Sequence, residues 1–236
     1  GEVVGHAIAA AERKEALMGD DVTEIGFQLP NLFRDLDIPA ADGRITIDQT
    51  VPIGDDEFLV YGTATDDAPR RLDDLVTALD HWEDLTAIDR SSERLQFQLR
   101  LTEPPVLTRI ASRGGYVDRA IIEDGDYRMT IHLPRSVDPR AVVAEVEDAY
   151  PNIELLSRRQ RSRSSESIEG VSHVLEELTE RQLAVLETAH HSGFFEWPRH
   201  SSGDDVASSL GISPPTFHQH LRKGQQHVFD ALFAAP

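Results

Sequence analysis

Cysteine is absent from this chain of 236 residues. Its absence excludes disulfide bridges, thiolate nucleophiles, cysteine-ligated zinc and iron–sulfur clusters. The chain also lacks a secretory signal and any run of about eighteen apolar residues, so we expect no membrane span and a cytoplasmic location. A hydrophobic content of 39% nevertheless suffices for the core of one or two folded domains.

Lysine is scarce as well, because only Lys14 and Lys223 among the 23 basic residues are lysines. The 42 acidic residues give a net charge of −19, and this combination of abundant aspartate with arginine is typical of a salt-saturated cytoplasm. At molar salt the Debye length is about 3 Å, so repulsion between an acidic protein and a polyanion is largely screened. The net charge therefore does not exclude a nucleic acid as partner.

Sequence signatures of an active site are also missing. No HExxH or Gly-x-Ser-x-Gly motif occurs, and Gly114-Gly115 precedes a predicted strand, where a turn rather than a phosphate loop is expected. The acidic pairs Asp55-Asp56, Asp66-Asp67 and Asp73-Asp74 are adjacent in sequence, so their carboxylates diverge on any regular element. The sequence therefore predicts neither an enzyme nor a bound cofactor.

Residues 1–21 predict an N-terminal helix for signalling and dimerisation. Val4, Ile8, Ala11 and Met18 form a narrow apolar stripe along it, with charges elsewhere. Such a stripe is typical of a two-stranded packing seam, and a helix packed on its own domain is the alternative.

Residues 22–157 predict an α+β regulatory domain, because apolar alternation typical of strands is interrupted by apolar residues at helical spacing. The elements read βαββαβ twice, which predicts two ferredoxin-like halves, each an antiparallel sheet with two helices on one side. Ile45, Ile47 and Val51 are expected on one strand face. Such a domain either transmits a signal structurally or binds a small ligand. The predicted strands are 22–29, 44–52, 57–64, 85–90, 93–101, 116–123, 126–133 and 153–157, and the predicted helices are 31–37, 70–80, 104–113 and 138–149.

Residues 158–170 contain several arginines and no apolar periodicity, which predicts a basic linker. Such a linker is either solvated or lies along phosphates.

Residues 171–236 predict an all-α helix-turn-helix domain that binds DNA. Thr179 and Gln182 form a capping box that starts one helix, and Gly211 supplies the left-handed turn between the next two. Ser213 then caps the recognition helix, whose Phe217 and Leu221 lie on its inner face. Residues 206–229 contain no Asp or Glu, which favours contact with phosphates and base edges. The residues predicted to contact DNA are Ser213, Pro215, Thr216, His218, Gln219, Arg222, Lys223 and Gln226.

The ten histidines suggest a metal site, but adjacent or alternate histidines on a helix point in different directions. We therefore predict no metal. His218 is expected to face DNA, and His220 to form a hydrogen bond nearby. The metal candidates considered were His190, His191, His200, His218, His220 and His227.

The end of the chain closely resembles the helix-turn-helix of the bacterio-opsin activator family of haloarchaeal transcription regulators. The resemblance rests on Leu178-Thr-Glu-Arg-Gln182, Gly193-Phe-Phe-Glu-Trp-Pro-Arg199, Leu210-Gly-Ile-Ser213 and His220-Leu-Arg222. Residues 22–157 resemble, through their element order and Val51-Pro-Ile-Gly54, the domain that in this family lies between a GAF sensor and the helix-turn-helix.

Residues 4–14 are similar to the last helix of a GAF domain, so the resemblance implies a fragment of a longer protein. It also implies a sequence-specific transcription regulator that an upstream sensor controls. Because one recognition helix reads only a few base pairs, we expect a homodimer on promoter DNA, and we expect contact with the transcription machinery. A regulatory protein-interaction or small-ligand module that acts on another transcription factor is the competing prediction, because residues 171–236 are net acidic.

Overall fold

The computed structural model describes residues 21–40, 42–91, 93–162 and 177–233. The protein has a mixed α+β fold, in which an eight-stranded antiparallel sheet precedes three C-terminal helices. The strands are β1 (Asp21–Leu29), β2 (Arg44–Pro52), β3 (Glu57–Thr65), β4 (Trp82–Arg90), β5 (Arg94–Thr102), β6 (Tyr116–Glu123), β7 (Asp126–Pro134) and β8 (Glu154–Ser162). The helices are α1 (Leu32–Asp35), α2 (Ala68–Ala78), α3 (Leu107–Ala111), α4 (Pro139–Ala149), α5 (Glu180–His191), α6 (Gly203–Ser209) and α7 (Pro214–Phe233).

The strands form one continuous sheet in the order β4-β5-β3-β2-β6-β7-β1-β8. Two separate ferredoxin-like halves are therefore not confirmed. β5 lies between β4 and β3, whereas β1 lies between β7 and β8, so each half of the chain supplies one strand to the other side of the sheet. Hydrophobic periodicity cannot distinguish these arrangements, because β1 and β5 are both alternating strands that fit either position.

The main core lies between one face of the sheet and the helices α1 to α4. Leu72 and Leu75 of α2 and Val142 and Val146 of α4 are buried against the strands because their helical spacing places them on one side. The prediction that β5 buries alternate apolar side chains is confirmed. Its buried residues on this face are Leu95, Phe97, Leu99 and Leu101.

A β-bulge in β2 changes which face its side chains cover. The pairing of β2 with β3 shifts between Ile47 and Gln49. Ile45 and Ile47 belong to the helix-covered core, whereas Val51 belongs to a second core on the opposite face. The prediction of one face for all three was wrong because an extra residue inverts the alternation.

The first and the last strand along the chain extend beyond the predicted domain boundaries. Asp21, predicted to end the N-terminal helix, is the first residue of β1. β8 extends to Ser162 and therefore includes the first five residues of the predicted linker. Arg161 of β8 forms an ion pair of 3.2 Å with Glu24 of β1, which helps explain why this basic segment continues as a strand. The predicted seam at Val4, Ile8, Ala11 and Met18 and the linker from residue 163 lie outside the described residues.

Within the described part of the chain, no helix is both long enough and apolar enough to cross a membrane.

Candidate nucleic-acid interface

The first helix of the C-terminal unit, α5, begins with the predicted capping box. Thr179 Oγ1 accepts from the backbone N–H of Gln182 at 3.2 Å, and Gln182 Oε1 accepts from the N–H of Thr179 at 2.9 Å. These bonds satisfy two donors that have no partner within the helix. α5 then buries Leu183, Val185 and Ala189, so it supports the two helices that follow.

An aromatic connection joins α5 to α6. Gly193 has a φ of 74°, and an added Cβ would lie 2.9 Å from the His200 side chain, so this turn requires glycine. Phe194 is buried with its ring centroid 5.5 Å from that of Phe217 in α7. Arg199 places its guanidinium 4.9 Å from the Phe194 ring centroid. This packing fixes the connection against α7.

The turn between α6 and α7 has the geometry of a helix-turn-helix. Ser202 caps α6 and exchanges hydrogen bonds with Asp205, which lowers the pKa of that carboxyl. Val206 and Leu210 are buried, and Gly211 has the left-handed φ of 64° that the turn requires.

α7 is the helix that the sequence predicts to recognise DNA. Ser213 Oγ accepts from the N–H of Thr216 at 3.4 Å, and Pro214 occupies the first helical position, where its missing N–H costs nothing. Phe217 and Leu221 are buried on the inner face. Gly224 lets the helix approach α5 closely, because an added Cβ would lie 2.9 Å from Leu186.

The structure brings the eight residues predicted to contact DNA together at the start of α7 and along its outer side. Seven of the eight are exposed, and Thr216 is half-buried with its hydroxyl 2.8 Å from that of Ser213. Accessibility is what contact with DNA requires, but the roles of these residues stay predictions. The exposed residues are Ser213, Pro215, His218, Gln219, Arg222, Lys223 and Gln226.

Among the histidines of this unit, His190 and His191 contact each other, with ring centroids 4.9 Å apart. His200 pairs with Glu196 at 3.0 Å, and His227 lies 3.3 Å from Glu177. The predicted local hydrogen bond of His220 is not observed, since its Nδ1 is buried without a hydrogen-bond partner among the described residues. The described chain contains no cluster of three or more side chains suited to hold a metal ion.

The sheet contributes to the core of this unit, a contact that the sequence reasoning missed. Val51, Leu59 and Tyr61 on the face opposite α1 to α4 join α5, α6 and α7 in a second buried cluster. The apolar run from Phe58 to Tyr61 was the available signal, because continuous rather than alternating burial indicates a strand covered on both faces. The other members of this cluster are Ala184, Val185, Ala189, Phe194, Val206, Ala207, Leu210, Phe217 and Leu221.

Burial at this contact shifts the pKa values of two ionisable groups. The Tyr61 ring lies 5.4 Å from the His191 ring. Burial, and secondarily the nearby His190, lowers the pKa of His191 from 6.5 to about 4. Burial also raises the pKa of the Tyr61 hydroxyl, so both groups are neutral at pH 7.

Comparisons with known proteins place family matches on both parts of the chain. The family model described as "BAT: GAF and HTH_10 associated domain" matches residues 20–172. The model described as "HTH DNA binding domain" matches residues 178–230.

Three curated relatives come from haloarchaea. A putative transcriptional regulator of Haloferax volcanii is 31% identical over 99% of this chain and 40% of its own length. The bacterioopsin transcriptional activator of Halobacterium salinarum is 26% identical over 99% of this chain and 35% of its own length. The transcriptional regulator NarO of Haloferax volcanii is 36% identical over 39% of this chain and 44% of its own length. The chain thus spans less than half the length of each relative.

Proposed function

Because this chain belongs to the family whose domain is described as "BAT: GAF and HTH_10 associated domain", we propose that it is a sequence-specific, DNA-binding regulator of transcription. The family and its relatives identify a regulatory protein rather than an enzyme. The observation that supports this proposal most directly is that the outer side of α7 is accessible, while its inner side is buried on α5 and α6. In a helix-turn-helix, that outer side enters the major groove.

The polar side chains of α7 suit both kinds of contact that a DNA-binding protein requires. Gln219 and Arg222 are exposed and carry the amide and guanidinium groups that form paired hydrogen bonds with base edges. Ser213 and Lys223 lie on the same accessible surface and suit phosphate oxygens. The sheet packs on α5 at the inner side and leaves these groups accessible.

Control by an upstream sensor is the second part of this proposal. The relatives are more than twice as long as the matched region. The sheet domain shares a buried core with the helix-turn-helix, which provides a physical route from the sheet to the DNA-binding unit. The signal then acts on a homodimer at a promoter, where contact with the transcription machinery sets the output.

A footprint on promoter DNA tests the DNA-binding proposal. We expect the full-length protein to protect one sequence in molar KCl, because direct contacts persist where nonspecific charge attraction is screened. A helix-turn-helix variant with Gln219→Ala and Arg222→Ala should lose that protection. The double variant Arg90→Ala, Asn152→Ala, which changes exposed residues of β4 and of the turn before β8, is the matched control.

The competing function is a protein-interaction module that acts on another transcription factor, favoured by the net acidic charge of residues 171–236. This function predicts no footprint at any salt concentration and recovery of a transcription factor with the full-length protein. The same experiment therefore distinguishes the two.

A further inference from the structure

The end of α6 is held by two arginines, one of which belongs to the sheet. Arg100 Nη2 of β5 donates to the backbone carbonyl of Ser209 at 2.7 Å. Arg181 Nη2 of α5 donates to the carbonyl of Leu210 at 3.0 Å, and its Nη1 donates to the carbonyl of Ile53 at 2.8 Å. The last carbonyls of a helix have no partner within it and carry partial negative charge, so a guanidinium stabilises them.

Arg100 is also fixed from its other side. Its Nη1 donates to Glu57 Oε2 of β3 at 2.8 Å, and its Nε lies 3.8 Å from Asp84 Oδ2 of β4. Its side chain is only 18% exposed. The guanidinium is therefore oriented by the sheet before it contacts α6, which reduces the entropy that its hydrogen bond to Ser209 costs.

A second side chain from β5 contacts the same residue of α6. Gln98 donates through Nε2 to Ser209 Oγ at 3.0 Å, and its Oε1 accepts from the Tyr61 hydroxyl at 2.9 Å. Ser209 is thus bound through both its backbone and its side chain. These bonds are directional, unlike the apolar contacts around Val51 and Leu59, so they fix orientation as well as proximity.

The turn that follows has open space beside its glycine. Gly211 follows Ser209 by two residues, and a Cβ added there would meet no atom within 4 Å. α7 begins three residues later, at Pro214. The direction of α7 therefore depends on the packing of its inner face on α5 and α6 and on how the last turn of α6 is held.

Resting on the function proposed above, we propose that Arg100 is a positioning residue for DNA recognition, which fixes the helix-turn-helix against the sheet without contacting DNA. Its bond to the Ser209 carbonyl sets the angle at which α7 presents Gln219 and Arg222. A movement of β3 or β4 reaches the turn through Glu57 or Asp84. Arg100 thereby connects the sheet to the DNA-reading surface.

The test compares Arg100→Gln and Arg100→Lys with the parent chain on the footprinted site. Arg100→Gln should weaken binding roughly tenfold and reduce the preference over unrelated DNA, since it removes a charge-assisted hydrogen bond. Arg100→Lys should recover part of that loss, because an ammonium can still donate to Ser209. Arg90→Gln makes the same charge change on exposed β4 and should leave binding unchanged.

Two further measurements separate positioning from a direct DNA contact and from mere stability. The dependence of binding on salt should keep its slope in Arg100→Gln, whereas loss of a phosphate contact would lower that slope by about one. Because the chain has no cysteine, spin labels placed by Thr86→Cys and Asp230→Cys report the distance from β4 to α7. The distribution of that distance should be broader in Arg100→Gln than in the parent. It is measured at a temperature at which a thermal melting curve shows that the variant is folded.

The outcomes distinguish the two proposals. A parent chain that protects no DNA overturns the proposed function and, with it, a role of Arg100 in recognition. A parent that binds, with Arg100→Gln equal to it in affinity, preference and label distance, overturns only the positioning role. If Arg100→Gln fails to fold, the folded Arg100→Lys variant decides, and binding equal to the parent together with an unbroadened label distance then counts against positioning.

Discussion

We expect single residues on α7 to divide into those that read DNA and those that hold the helix in place. Gln219 and Arg222 are exposed, so each can be shortened without opening a cavity. We expect each alanine substitution to cost about 1–3 kcal/mol of binding free energy on the cognate site and to relax sequence preference there. Titrations against a series of single-base variants of the site measure both effects.

Phe217 provides the contrast for that prediction, because it is fully buried in the core shared by α5, α6 and α7. Phe217→Ala should lower the free energy of unfolding by about 3–5 kcal/mol and weaken binding to all sequences alike.

Unchanged DNA affinity in both Gln219→Ala and Arg222→Ala would show that these two residues do not read bases.

His191 gives the contact between sheet and helices a pH dependence. Its pKa is about 4 in the folded chain because of burial and the nearby His190, compared with 6.5 for an unperturbed histidine. Between these two pKa values the unfolded state binds more protons than the folded state. The contribution of the neutral His191 to stability is therefore fully present above about pH 6.5 and is lost as the pH falls toward 4. The effect should be on the order of 1 kcal/mol, since the ring is partly exposed and screened.

Denaturant unfolding at pH 7, 5.5 and 4.5 measures this contribution. Titration of the 42 acidic residues also changes stability in this range, so the comparison is with His191→Gln, which cannot gain the proton. The parent should lose more stability than the variant between pH 7 and 4.5. An equal loss of unfolding free energy with pH in the two proteins would show that His191 does not contribute to this pH dependence.

At the scale of elements, the sequence predicted local structure well where one face of a strand or helix is buried. The buried row of β5, the capping box at Thr179 and the Gly211 turn were all expected from spacing and residue type. These features depend on neighbouring residues only, which is why they can be read from a single chain.

Features that depend on distant residues were missed. The exchange of β1 and β5 between the two sides of the sheet leaves no trace in periodicity, because both strands alternate in the same way. The bulge after Ile47 moves the apolar side chains that follow it in β2 to the other face of the sheet. The two arginines that bind the end of α6 come from β5 and α5, which are distant in sequence. The polar side chains of α7 were located from sequence, but the sheet surface behind them was not.

The bulge in β2 yields a prediction about α5. Val51 is fully buried between the sheet and the C-terminal helices, so Val51→Asp places a carboxylate in that shared core. Burying an unpaired charge costs several kcal/mol, and separation of α5 from the sheet would avoid that cost. We expect faster amide hydrogen exchange in α5 and unchanged exchange in β6 and β7, which pack on the other core.

Thr46→Asp is the control for this element, because Thr46 lies on the same strand and is half-buried but belongs to neither apolar core. It should leave the exchange of α5 as in the parent. Equal exchange of α5 in the parent and in Val51→Asp would show that the helices are held without the apolar contact.

At the scale of the whole molecule, the number of base pairs read by one helix limits function. One recognition helix contacts only a few base pairs, too few to select a site in a genome, and two helices about 34 Å apart on one DNA face solve this by symmetry. Among the described residues, α7 is the one helix to which we assign this role. We therefore expect the active form to be a two-fold homodimer.

The apolar stripe at Val4, Ile8, Ala11 and Met18 is the expected dimer contact, because paired helices there would also transmit movement of a sensor to the spacing of the DNA-binding units. A variant with Ile8→Glu and Ala11→Glu places like charges in both copies of the seam. Sedimentation equilibrium in molar KCl should show weaker dimerisation, and the footprint should weaken with it.

A second pair of variants distinguishes the alternative contact near the end of α7. Phe229 and Phe233 are 52% and 81% exposed and lie one helical turn apart, so they offer another apolar surface. If Phe229→Glu with Phe233→Glu abolishes the dimer while the Ile8 and Ala11 variant dimerises as the parent does, the seam is wrong and the contact lies at α7. That contact would fix the spacing of the recognition helices directly, and control by a sensor would then have to act through the sheet.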